Sequence, residues 1–450
     1  MRPLFSLLAL TSFLALPAQD VLTLPVALRQ AEQASFQADN ASFALAAAQD
    51  ETAQVRSLYL PELTAAGGHV SLDHTRELRT SAMTLGPFPV LGTVSVPPSA
   101  TGVAEASSWQ YKVGVHYLLW DFGRRGAMLS AARAKEVAST DSGKADVQRL
   151  QAEVTARYMT LLDAKARKLV LAQRHTALRD HLKTVEDMLK QGLVARNDYL
   201  RTEVALRGVE DADGAVDTAY ANALEALNTS LGREPGRTAE LPGALGAPPD
   251  IPWDEAAIRA RALANNATVR ALKAKVEALD RTTELDRRNF YPAVVAEAAH
   301  TYEENRFLVH PHENSLTVGM TWKVLDGGAR SAKVQESATQ AAQARRELLE
   351  AQRTAEAAAV AALRNFRQSL REAGTAKVNV ISSEENFRIV EDQYREGMVR
   401  STDALDAEAI LAESRSALAS KQYQAYAQQA ALLALLGEDL AAFYETHLEK

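Results

Sequence analysis

A chain of 450 residues with 47% apolar residues, 6% aromatics and a formal charge of −7 favours long, closely packed helices over a thick globular core, because so much of its apolar content is alanine. Its basic residues are dispersed among acidic ones, which argues against nucleic acid as a partner. The absence of cysteine excludes a disulfide framework, a thiolate metal site and lipid attachment through a cysteine at a processed N-terminus.

In chain order, residues 1–18 read as a signal peptide, with Arg2, an apolar run from Leu4 to Leu16 and the small Ala18. No later apolar run reaches about 18 residues, the length of a spanning helix, so an exported, unlipidated protein without a transmembrane helix is expected. Residues 19–231 form a first repeat. From Pro25 to about Tyr59 strong helix formers run without internal Pro or Gly, and Pro61 ends the helix. Helical periodicity is then lost. After a Pro/Gly/Ser-rich stretch over 80–102, Trp109, Tyr111, Val113, Val115, Tyr117 and Leu119 alternate with Gln110, Lys112, Gly114, His116 and Leu118, a strand with one apolar, aromatic face.

WDFGRR closes that strand at Trp120 to Arg125. A helix of about 67 residues follows to Lys190, roughly 100 Å at 1.5 Å per residue. Next comes LKQGLVARNDYLRTE, Leu189 to Glu203, which is written again as YREGMVRSTDALDAE, Tyr394 to Glu408. Each copy reads as a helix end, a Gly stop, a short turn and an Asp opening the next helix. These are hairpin tips, Gly192, Leu193 and Val194 in one, Gly397, Met398 and Val399 in the other. A shorter helix, Asp198 to about Leu231, completes the repeat.

Residues 232–253 are a Pro/Gly-rich connector, and over 254–439 the pattern recurs: a helix to Phe290, Pro292, a strand near 293–302, and a strand in which Leu316, Val318, Met320, Trp322 and Val324 alternate with Ser315, Thr317, Gly319, Thr321 and Lys323. LDGGAR, Leu325 to Arg330, answers WDFGRR 205 positions on. Before the strands the offset is 231 (Pro61 to Pro292), so the first copy holds about 26 extra residues in one loop, where insertions are tolerated. Residues 440–450 read as a tail.

Two strands per half make four per chain, with an uncovered apolar face and two open edges. About eight strands are needed to close a barrel, so closure requires several copies. Strands of about ten residues with aromatic and aliphatic side chains outward fit an outer-membrane barrel, with the helices as coiled-coil hairpins. A soluble antiparallel sheet, or an extracytoplasmic coiled coil, are the plainer readings of the same segments.

LTLPVALRQA (Leu22 to Ala31), its counterpart ALANNATVRAL (Ala262 to Leu272), the WDFGRR and LDGGAR corners and the GLV and EGMV tips together resemble the TolC-like outer-membrane efflux protein family, from about Leu22 to Asp439. The resemblance implies a mostly helical fold with strands, assembled as a homotrimer with a 12-stranded barrel in the outer membrane and a periplasmic 12-helix barrel. It implies docking onto a periplasmic adaptor and an inner-membrane transporter, and export of small molecules or polypeptides.

By position it also assigns Asp198, Tyr394, Asp403 and Asp406 to a periplasmic gate. The family's tip arginine falls on Val399, with Arg400 next door. Threefold symmetry would turn Asp403 and Asp406 into rings of like charge, which attract cations and resist full ionisation, although capping and the helix dipole alone also account for these carboxylates. Trp109, Tyr111, Tyr117 and Trp322 are expected as anchors facing outer-membrane lipid. No catalytic or cofactor constellation stands out, and His310 and His312 read as a solvated loop rather than a metal site. The alternatives are a periplasmic adaptor or scaffold that does not span the membrane, for which the alternating strands have no use, and a periplasmic hydrolase, supported only by scattered polar residues. The PFPVLGTVSVPPSATG loop supports no ligand, and the sequence names no cargo.

Overall fold

The structure, a computed structural model, describes residues 21–448; the signal segment read at 1–18 lies outside them. The chain runs α1 (Leu24–Ala34), α2 (Phe36–Ser57), β1 (Glu62–Ser71), β2 (Arg76–Thr80), β3 (Met83–Phe88), β4 (Gly92–Val96), β5 (Ser99–Ala104), β6 (Ser107–Trp120), α3 (Arg124–Lys190) and α4 (Arg196–Ser230). It continues with α5 (Glu255–Asn265), α6 (Ala267–Arg288), β7 (Ala293–Glu303), β8 (His312–Thr321), α7 (Ala329–Arg395), α8 (Ser401–Leu435) and α9 (Leu440–Leu448). Both long helices have 67 residues, and both helices leaving the tips have 35. Among the described residues no helix is long and apolar enough to cross a membrane.

Three expectations are corrected. The helix expected from Pro25 to Tyr59 is two helices broken at Ser35, and the one from Asp254 to Phe290 is broken at Asn266. Both break residues have non-helical backbone and accept from an amide three residues on, Ala38 N at 3.2 Å and Val269 N at 3.1 Å, so each caps the second helix. Gly232 and Gly437 pack closely against these breaks. A Cβ on Gly232 would lie 2.4 Å from the Ala34 carbonyl, and one on Gly437 2.3 Å from that of Asn265. Second, the stretch 80–102 is not an irregular loop but an extension of the β1–β6 hairpin, in which β2 pairs with β5 and β3 with β4. Third, the tail is a helix, α9, with Leu440, Ala441 and Tyr444 buried.

The chain divides into two compact units, and each draws on both sequence halves. One comprises the described residues up to Ala46, Ala138–Lys273 and those from Arg346. Its core is lined by α3 residues at three- and four-residue spacing, Leu150, Val154, Tyr158, Leu161 and Leu162, with Leu363 and Phe366 of α7, Leu227 of α4 and Leu433 of α8. The connector is strapped onto this core: Leu241 and Ile251 are buried, Lys165 donates to the Leu241 carbonyl at 3.0 Å, and the Arg261 guanidinium lies 3.8 Å over the Trp253 ring.

The other unit, Ala47–Val137 and Ala274–Arg345, holds an antiparallel sheet in the order β1-β6-β7-β8, with β1 and β8 at its edges. Leu63, Val115, Ala298 and Leu316 are successive partners across it, so aliphatic and aromatic residues of all four strands share one face, whereas Thr64, Gly114, Ala299 and Ser315 share the other. The corner motifs have one geometry. Asp121 accepts from Gly123 N (3.1 Å), Arg125 N (2.8 Å) and Arg125 Nε (3.1 Å), and Asp326 accepts from Gly328 N (3.2 Å), Arg330 N (3.2 Å) and Arg330 Nε (2.6 Å). Each arginine also donates to the carbonyl ending the preceding helical segment, Leu58 or Asn289, and lies over an aromatic ring, Tyr59 or Phe290. One Asp–Arg pair thereby stops the strand, starts the long helix and ties in its neighbour.

Candidate functional site at the paired hairpin tips

Each tip turns at a glycine with positive φ, Gly192 at 77° and Gly397 at 73°, where an L side chain would be strained. Leu193 N donates to the Met188 carbonyl and Met398 N to the Gln393 carbonyl, both at 2.9 Å, the six-to-one bond that ends a helix at a left-handed glycine. The aspartates sit differently from the expectation. Ala195 and Arg400 occupy the caps, and Asp198 and Asp403 lie three residues into the helices, reaching back to accept from Ala195 N (3.4 Å) and Arg400 N (3.0 Å). They still satisfy a first-turn amide and complement the helix dipole.

The two tips pack on each other. Val185, Tyr394 and Ala404 form a small buried core, surrounded by Met188, Val194, Tyr199, Val390 and Val399. Val399, at the position where the resemblance implied an arginine, therefore serves this contact, and so does Val194. Leu193 and Met398 project instead, 67% and 62% exposed.

The gate candidates separate into two sets. Tyr394 is buried against Ser401 and the Asp198 end of α4, and burial first, then the Asp198 charge, raises its phenol, with Ser401 opposing. Asp403, Asp406 and Arg400 are exposed, and Asp198 is half-buried. Asp403 and Asp406, three residues apart on α8, share one side of the helix.

Sequence reasoning missed His181. Its Nε2 lies 3.2 Å from Ser401 Oγ, its ring is 4.8 Å from that of Tyr394, and burial lowers its pKa. Thr202 Oγ1 stands 3.5 Å from the same Ser401 hydroxyl. The available signal was periodicity, since His181 precedes the buried Val185 by one helical turn. Further along, the buried Glu408 pairs with Arg174 Nε at 3.0 Å, and burial raises its carboxyl against the pull of that arginine. No group of three or more metal-ligating side chains occurs among the described residues.

On the sheet, Trp109 stacks with Tyr111 (6.1 Å) and Tyr111 with Tyr302 (6.0 Å) at the loop end, while Trp322 Nε1 donates to the Phe290 carbonyl (3.0 Å) at the helix end. Trp109, Tyr111, Tyr117 and Trp322 are 48%, 48%, 36% and 53% exposed on the apolar face. Trp120, at 60%, was missed, because strict alternation places it on the polar face. The register shift between Leu118 and Trp120 pairs it with Val294, on the apolar side.

The model of the outer membrane efflux protein family matches residues 27–233 and 258–438. A search of curated proteins finds no match. Among solved structures, the outer membrane protein VceC of Vibrio cholerae is 17% identical, with a TM-score of 0.72 over 92% of this chain and 96% of that one. The open-state MtrE outer membrane channel of Neisseria gonorrhoeae is 17% identical, with a TM-score of 0.73 over 92% and 89%. CusC, whose structures concern folding and transmembrane channel formation, is 15% identical, with a TM-score of 0.74 over 92% of each chain.

Proposed function

The chain belongs to the outer membrane efflux protein family, and on that premise we propose that it is a passive exit duct: a homotrimer with a 12-stranded barrel in the outer membrane and a 12-helix barrel in the periplasm. The observation that carries this reading is the sheet. Four strands with open edges at β1 and β8 expose Leu63, Tyr111, Val113, Leu316, Val318 and Met320 on one face, which no described residue covers. Pairing β1 of one copy with β8 of the next removes both edges, and three copies supply twelve strands. The covered face then meets lipid, with Trp109 and Tyr111 at one interface and Trp120 and Trp322 at the other. A periplasmic scaffold leaves this face in water, and the family assignment does not support it.

The tips form the periplasmic entrance. Three copies of Asp403 and of Asp406 make stacked rings of negative charge, and Asp198, Tyr394 and Arg400 hold neighbouring hairpins together in the resting state. Leu193 and Met398, projecting and apolar, meet the periplasmic adaptor, and an inner-membrane transporter supplies cargo and energy; the duct itself carries out no reaction. The mature chain is unlipidated, and the two sequence halves act as structural repeats around one channel. Purified protein in a planar bilayer tests the reading: small, cation-preferring conductance is expected, rising when Asp198→Asn and Arg400→Ala are combined. Unchanged conductance in that double variant removes these residues from the gate, and no conductance at all removes the duct.

A further inference from the structure

The 25 residues from Thr80 to Ala104 contain no Asp, Glu, Lys, Arg or His, in a chain that is 24% charged. They form the β3–β4 hairpin and the adjoining β5, beyond the ends of β1 and β6 that lie opposite the helices. Register places Met83 across from Val96 and Leu85 across from Val94 on one side of the β3–β4 ribbon, with Thr84 across from Ser95 on the other. Its turn carries Val90 and Leu91, 95% and 76% exposed, next to the half-exposed Phe88. An isolated two-stranded ribbon is marginal in water, and this one leaves its apolar side bare.

The base of this arm is held in place. Phe307, in the β7–β8 loop, fills the space beside Gly102, where a Cβ would lie 2.6 Å from the ring. Asn305 Nδ2 donates to the Val103 carbonyl at 3.1 Å, and Arg306 pairs with Glu105 at 3.0 Å. The apolar ribbon is thereby presented in a fixed direction from the loop end of the sheet.

We infer that the β3–β4 hairpins of neighbouring copies pack on one another through Met83, Leu85, Val94, Val96 and the Phe88–Leu91 tip, narrowing the outer mouth of the channel with an apolar contact while leaving it conducting. The inference rests on the multi-copy barrel proposed above. A charged lipid headgroup surface is recognised through Lys and Arg, and the ribbon has neither. Copies of one segment around a symmetry axis bring identical side chains together, which any charge would oppose and an uncharged ribbon permits. The arm also continues β1, the edge strand through which copies would join.

The chain has no cysteine, so single cysteines report cleanly. Val90→Cys in native membranes, treated with a short bifunctional maleimide, is expected to give cross-linked dimers, with little product from Thr84→Cys on the polar side. Adding Leu85→Asp is expected to abolish the Val90→Cys product and to raise single-channel conductance. A trimer by mass in which Val90→Cys fails to cross-link, or cross-links equally with Leu85→Asp present, overturns the constriction and leaves the duct standing. Absence of any oligomer overturns both. Quenching of Val90→Trp by brominated lipid, in a variant without the four native tryptophans, assigns the ribbon to the membrane and also overturns the constriction.

Discussion

Asn266 does more than cap a helix, and the structure says how much its loss costs. Its Oδ1 accepts from Val269 N at 3.1 Å, and its Nδ2 donates to the Leu435 carbonyl at 2.9 Å, one of the last carbonyls of α8. Replacing Asn266 with Ala removes an N-cap, about 1 kcal/mol, and strands a carbonyl at a helix end beside the buried Asn266 site, a further ~1–3 kcal/mol. The sum is about 2–4 kcal/mol. Ser35 at the corresponding break makes only the capping bond, to Ala38 N at 3.2 Å, so Ser35→Ala should cost about 1 kcal/mol. Denaturant unfolding of the detergent-solubilised protein, followed by far-ultraviolet circular dichroism, measures both. Equal losses, or a loss under about 0.5 kcal/mol for Asn266→Ala, within the range of ordinary surface substitutions, would refute the argument that the amide side chain ties the α5–α6 break to the end of α8.

Other expectations concern the tips and the sheet. His181 has a lowered pKa in the fold, so its contribution to tip stability is present above the unfolded value near 6.5 and is lost as pH falls through the folded value. Hydrogen-exchange protection factors over residues 185–205 and 390–404, taken relative to the intrinsic rate at each pH, should fall on acidification, and the same fall in His181→Gln would assign it to other groups. Glu408 has the opposite sign: its raised carboxyl favours the fold at low pH and costs stability as pH rises through the folded value, so Glu408→Gln should reduce this loss while sacrificing the charge-assisted bond from Arg174. The chain has four tryptophans; in single-tryptophan variants, brominated lipid should quench Trp109, Trp120 and Trp322 but spare Trp253, which is covered by Arg261. Quenching of Trp253 alone would place lipid on the wrong unit.

Periodicity made the long helices, the tips and the sheet faces readable, because each depends on residues close in sequence: Gly192 and Gly397 for the turns, odd positions of β6 for the apolar face. What stayed hidden depends on partners far along the chain. Ser35 and Asn266 are favoured cap residues, but Gly232 and Gly437, which pack against the residues before them, lie far along the chain. The bulge that turns Trp120 outward is set by pairing with β7. His181 gains its role from Tyr394 and Ser401, more than 200 residues later. Asp198 and Asp403 stand at the third helical position rather than at the cap, a difference the sequence hides because a carboxylate reaching back looks like one reaching forward.

The central claim is that several copies of this chain close one barrel in the outer membrane. The mass of the protein extracted from separated outer-membrane fractions, corrected for bound detergent, tests it most directly. The account predicts three chains per particle. A monomer in the soluble periplasmic fraction would contradict it, since the apolar face of the sheet would then have to be covered within one chain.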